Sequence, residues 1–126
     1  LGTRTTNTAT SGTLATGATG TVNITLAKTS SILSVSSNYP AEVRLYDTAA
    51  NLTADASRPS TTAPLAGIGL ICQNTTTSTP QTIHQSPVST FVNNDTIVGA
   101  TGYLSITNKD TISRAITVTI VHLPQE

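Results

Sequence analysis

The chain has 126 residues, zero formal net charge and only 10% charged residues, which predicts a single domain large enough to bury a core without metals or disulfides. No basic face is present to neutralise phosphates, which argues against nucleic-acid binding, and a polybasic membrane anchor is excluded for the same reason. The longest apolar run, Leu65 to Cys72, is far too short to span a bilayer.

Residues 1 to 20 contain only two large apolar residues, Leu1 and Leu14, and cannot bury enough surface to fold alone. They predict an extended N-terminal arm (1–20) ahead of a folded domain (21–126). An arm this polar becomes ordered when laid against a partner or added as a strand to a neighbouring subunit. Leu1, Arg4 and Leu14 are its candidate contact residues. The arm holds no apolar signal-peptide segment. With no Met in the chain, Leu1 reads either as a processed end or as a start inside a longer product.

From Thr21 the pattern alternates. Val22, Ile24 and Leu26 predict one strand, and Ser31 to Ser37, with Ile32, Leu33 and Val35, a second. Pro40 ends the following turn. Ala41 to Asp47 forms a third strand, with Val43 and Leu45 on one face and Glu42, Arg44 and Tyr46 on the other. Asp47 to Arg58 then changes to an Ala-, Asn- and Asp-rich text closed by Pro59. This predicts a structured helical turn, with Asp47 and Thr53 as N-cap types. Asp55 and Arg58 are three apart, so one turn brings them together. Arg44, Asp47, Asp55 and Arg58 are therefore expected to form a salt-bridged corner that pins the strand.

Leu65 to Gln73 reads as a buried strand loosened by Gly67 and Gly69. A short strand around Ile83 is broken by Pro87, and Val88 to Val92 follows with Phe91. After the Asn93-Asn94-Asp95 turn, Ile97-Val98 and Gly102 to Thr107 are strand material. Asn108-Lys109-Asp110 closes a hairpin onto the longest strand, Ile112 to Leu123. Seven to nine short strands with polar turns define an all-β protein, an antiparallel β-sandwich of jelly-roll or immunoglobulin-like layout, with a barrel as the alternative. Thr and Ser make up about a third of the chain. A surface polar through hydroxyls rather than charges suits packing within an assembly.

Chemistry finds little support. His84 and His122 have no metal-ligand spacing with each other or with Cys72, and read as surface or edge-strand residues. Cys72, in an apolar run, reads as a buried, inert thiol, and as the lone cysteine it cannot form an internal disulfide. There is no Gly-x-Ser-x-Gly elbow for a nucleophile. The nearest carboxylate pair, Asp47 and Asp55, has Arg44 and Arg58 as more natural partners. No cofactor motif is present. A carbohydrate-binding module would use exposed aromatic platforms, and only Tyr39, Tyr46 and Tyr103 are available, with no Trp.

The run Val43-Arg-Leu-Tyr-Asp-Thr-Ala-Ala-Asn-Leu-Thr-Ala-Asp-Ala-Ser-Arg58 resembles a stretch of small β proteins of tailed bacteriophages and prophages, written VRLY-x-TAA-x-x-TADA-x-R. FVNNDT at 91–96 is similar to their Asn-rich turn, and YLSITNKD followed by AITVTIVHL to their closing strands. The likeness covers about residues 21–123; the arm has no counterpart. What it implies is a non-enzymatic virion structural protein, assembled in the host cytoplasm. Its partners would be other virion proteins, the major capsid protein or tail proteins, and further copies of itself, a trimer being one form. A capsid decoration (cement) protein ranks first, a tail, baseplate or fibre module second, and a carbohydrate- or receptor-binding sandwich third.

Overall fold

The computed structural model describes residues 2–125. In chain order the elements are β1 (Thr5–Leu14), β2 (Thr19–Thr25), β3 (Thr29–Ser37), β4 (Ala41–Tyr46), α1 (Ala49–Ala54), β5 (Leu70–Thr75), β6 (Gln81–Val92), β7 (Thr101–Asn108) and β8 (Arg114–Pro124). They form two four-stranded antiparallel sheets, ordered β1-β8-β3-β6 and β2-β7-β4-β5. First pairs with last, second with seventh, third with sixth and fourth with fifth. The chain is thus one long hairpin rolled into a sandwich, its middle closed by β8 on β3 and β7 on β4. That is the jelly-roll order, and it decides between the two sandwich layouts.

The core follows the alternation of each strand. Ile24, Ile32, Val35, Val43, Leu45, Phe91, Leu104, Ile106, Ile116, Val118 and Ile120 meet between the sheets. Gly102 is required there: a Cβ would lie 2.9 Å from Leu26 and 3.0 Å from Leu45 side-chain atoms. β4 is exceptional because all six of its residues are buried. Val43 and Leu45 face the core, while its outer face lies under the connection 47–69, which among the described residues is the only connection that joins two strands of one sheet.

Several expectations are corrected. The stretch expected to leave the domain as an arm is a strand of it: β1 pairs with β8 from Thr5↔His122 to Leu14↔Arg114. Gly2 N–H continues the ladder by donating to Pro124 O at 2.9 Å. Leu14 packs against the core, and only Arg4 of the three candidate contact residues is both described and exposed; Leu1 lies outside the described residues. β7 and β8 are not a hairpin but sit in opposite sheets. The turn between them is a crossover, tied down where Asn108 Nδ2 donates to Leu14 O (2.8 Å) and Ile112 O (3.0 Å).

Pro87 does not end its strand. Ile32 pairs with Ser89 and Ser34 with His84, so residues 85–88 swell opposite Leu33 alone. On an edge strand at such a bulge, a residue without an N–H is tolerated. Ile97 and Val98 form an exposed loop instead of a strand, and β5 starts only at Leu70, leaving Leu65 exposed.

Candidate functional site: a buried ionic corner

Glu42, Arg44 and Tyr46 alternate along the outer face of β4 and are 3%, 5% and 1% exposed. Two charges removed from water in one strand demand partners. The connection after β4 supplies them. α1 is capped at its start by Thr48, whose Oγ1 accepts from Asn51 N at 3.0 Å; neither Asp47 nor Thr53 is the cap. About two turns later the helix ends on Asp55, whose carboxylate is turned back over β4.

Asp55 is the centre of the corner. Arg58 Nε donates to its two oxygens at 2.9 and 3.1 Å, and Tyr46 Oη donates to Oδ2 at 2.5 Å. Arg44 Nη1 lies 3.8 Å from the same oxygen. The guanidiniums are then filled by other groups. Arg58 donates to Thr62 O (2.8 Å) and Gln73 Oε1 (2.7 Å), Arg44 to Arg58 O (3.0 Å) and Asp55 O (3.5 Å). Arg44 Nε sits 2.8 Å from Glu42 Oε1, a charge pair whose N–H does not point along the line between them. Ser60 closes the ring by donating to Glu42 Oε2. The hydrogen bond from Arg58, aided by Tyr46, holds the Asp55 carboxyl below its usual range against the opposing effect of burial. Burial and then the Asp55 carboxylate push the Tyr46 phenol up.

Asp47 stands apart from this ring, which corrects its expected pairing with an arginine. Its Oδ1 accepts from Asn51 Nδ2 (2.8 Å) and its Oδ2 from Asn94 Nδ2 (2.6 Å). Gly69 O accepts from its N–H at 3.1 Å. Gly69 has φ +80°, and a Cβ there would collide with the Asp47 carboxylate. Asp47 therefore ties the β4–β5 connection to the β6–β7 loop. That loop is braced by Asn93, whose Oδ1 accepts from Asp95 N (3.0 Å) and Gly99 N (3.3 Å) and whose Nδ2 donates to Thr101 O (2.7 Å). Tyr103 Oη donates to Asp95 Oδ2 at 2.7 Å, and that bond is the main reason its phenol is pushed up.

The arrangement thus brings together Arg44, Asp55 and Arg58 and places Asp47 in a neighbouring cluster. Sequence reasoning missed Ser60, Gln73 and Asn94 as partners. It did place Glu42 and Tyr46 on the face of Arg44, which was the available signal. Beside the corner lie an open depression of about 280 Å³, lined by Arg58, Thr62, Leu70 and Gln73, and one of about 160 Å³ near Glu42, Arg44 and Ser105. The charged groups bordering both are paired within the protein.

His84 is exposed on edge strand β6, but His122 is fully buried. Its Nε2 lies 2.8 Å from Asn7 Oδ1 and its Nδ1 3.2 Å from Ser30 Oγ. Asn7 Oδ1 only accepts, so Nε2 carries the proton and Ser30 donates to Nδ1. Desolvation pushes the imidazole pKa below 6.5. Cys72 is half-buried rather than buried, and desolvation of its thiol pushes the pKa up to about 12, away from the thiolate form. Among the described residues no group of three or more His, Cys, Asp and Glu is placed to hold a metal ion, and no helix is long and apolar enough to cross a membrane. In comparisons with protein-family models, curated proteins and solved structures, nothing matches the chain.

Proposed function

We propose that the chain is a non-enzymatic structural protein of a tailed-phage virion, a capsid decoration protein that binds and stabilises the major capsid lattice. The observation that carries the reading is the run Val43–Arg58 and its likeness to phage β proteins. In this chain the run is the β4 strand and the corner folded over it. The second and third similar stretches join the same scaffold, through Asn94 to Asp47 and Tyr103 to Asp95.

The surface supports an assembly role. Thr6, Thr8 and Thr10 of β1 are exposed on the outer face of the first sheet. They run beside half-buried Thr117 and Thr119 of β8, and Thr119 is paired in turn with Ser36 of β3. Hydroxyls can be covered by a neighbouring subunit at far lower desolvation cost than charges. Binding would then accumulate over many symmetric copies, each contributing modestly. With residues 5–14 built into the sheet, contact passes through faces and edges rather than through a free arm, and Arg4, just before the strand, is exposed.

A tail, baseplate or fibre module is the second reading, since the same scaffold and surface serve it. The sugar-binding reading loses its platforms. Tyr46 is buried, Tyr39 lies under the Arg114 guanidinium at 4.0 Å, and Tyr103 is half-buried and bonded to Asp95.

The test is the copy number per particle, by quantitative mass spectrometry against the major capsid protein. A ratio near one, or a simple icosahedral fraction of it, is the expected result. A few to a few dozen copies would move the protein to the tail, and absence from particles would overturn the virion reading.

A further inference from the structure

The four sheet edges are unequal. β6 carries Pro87 in mid-strand, and Gln85 Nε2 bridges from it to Asn74 Oδ1 of β5 at 3.0 Å. β5 is short, and its Gln73 is held by Arg58. At the start of β2, the Leu14 side chain lies over Gly20. β1 has a register shift between Thr10 and Thr13, a bulge that blunts the second half of its edge. Before the bulge, Thr5 to Thr10 reads TTNTAT, with no charge, proline or glycine. An edge of that kind is an open template for another strand.

We propose that this edge pairs antiparallel with the same edge of a second copy, joining two four-stranded sheets into one of eight strands. The occupant follows from self-complementarity. About Asn7 the strand carries Thr6 and Thr8 as mirror positions, and Thr5, Ala9 and Thr10 beyond them are small and uncharged. A two-fold axis there sets Thr6 opposite Thr8 of the other copy, Thr5 opposite Ala9 and Arg4 opposite Thr10. No like charges meet, and the two guanidiniums lie at opposite ends of the ladder. Thr–Thr pairs across strands already occur in this fold, with Thr10 and Thr117 hydroxyls 2.9 Å apart and those of Thr19 and Thr107 2.7 Å apart. The new Thr6–Thr8 rows would repeat that pairing on the outer face. Such a contact is isologous and closes after two copies. It stands on the edge alone and does not depend on where the protein works.

Sedimentation velocity of the full chain over a concentration series, with amide hydrogen exchange at low and high concentration, tests the pairing. The expected result is a reversible dimer in which amides within Thr5–Thr10 gain protection as concentration rises. The double variant Thr6→Lys/Thr8→Lys sets ammonium groups opposite each other in both rows and leaves the exposed outer face able to fold. Its dissociation constant is expected to rise at least about tenfold with an unchanged circular dichroism spectrum. Should the variant misfold, the wild-type exchange pattern still decides. A wild-type monomer up to about 1 mM, a dimer whose Thr5–Thr10 amides exchange as in the monomer, or a folded variant that dimerises equally well would each overturn the proposal.

Discussion

Asp55→Ala tests whether the corner holds the fold. The substitution removes the acceptor of Arg58 Nε and of Tyr46 Oη and the carboxylate 3.8 Å from Arg44. The Arg44 and Arg58 side chains are 6% and 8% exposed, so water cannot replace what is lost without opening the 55–62 segment. Breaking a buried pair on one side costs about 3–5 kcal/mol, because the remaining charge stays desolvated and unpaired. For a chain of this size about 1 kcal/mol moves Tm by roughly 3–6 °C, so a fall of roughly 9–30 °C is expected. Asp55→Asn keeps an acceptor for Tyr46 and should fall less. Thermal melts by circular dichroism, with urea unfolding at 25 °C, measure both. The sign with pH follows from the carboxyl being held below its ordinary 3.8. Its contribution is complete above that value and is lost as pH falls through and below it, so wild type and Asp55→Ala should converge in acid. A Tm change under about 3 °C at pH 7 would refute the reasoning, since it amounts to about 1 kcal/mol or less.

His122 gives the second pH effect. Its pKa lies below 6.5 in the fold, so the unfolded chain binds more protons just below that pH and stability drops as pH falls from about 6.5. Urea midpoints at pH 7 and 5.5 should therefore differ more in wild type than in His122→Gln, by at most about 1.4 kcal/mol per pH unit; equal slopes would show that the imidazole is not held neutral. Deleting residues 2–14 should unfold the protein or lower its Tm sharply, because it strips β1 from β8 and uncovers Ile116, Val118 and Ile120; a truncated chain with wild-type Tm would restore the arm reading.

The strands with alternating apolar residues were legible because hydropathy reports which side chains share a buried face. β1 was not, because its inward side chains are Asn7, Ala9 and Ser11. They are held by polar bonds, Asn7 to His122 and Ser11 Oγ to Ile116 N at 3.0 Å, which no hydropathy pattern records. The Asp55–Arg58 pair was legible from a spacing of three. The role of Asp47 was not, since its amide partner Asn94 lies 47 residues away. Sheet membership was also hidden. A polar turn such as Asn108–Asp110 reads alike whether it folds a hairpin or carries the chain across a sandwich, and only the whole set of pairings decides which.

The inward bonding of charge links the corner to the surface. Arg44, Arg58 and Arg114 are paired with Glu42, Asp55 and Asp110, while Asp47 and Asp95 are bonded to amides and a phenol. Most of the few charges of the chain therefore act within it. What remains outward on the first sheet is largely hydroxyl, carried on strands whose backbones are fixed by the jelly roll. A rigid hydroxyl face loses little conformational freedom when covered and has no charges to desolvate. Such a face is poor at steering partners from a distance, because long-range attraction needs net charge. It is suited to contacts made at close quarters and high local concentration, where many weak copies act together. Those are the conditions on a lattice, the setting in which the proposed function places the chain.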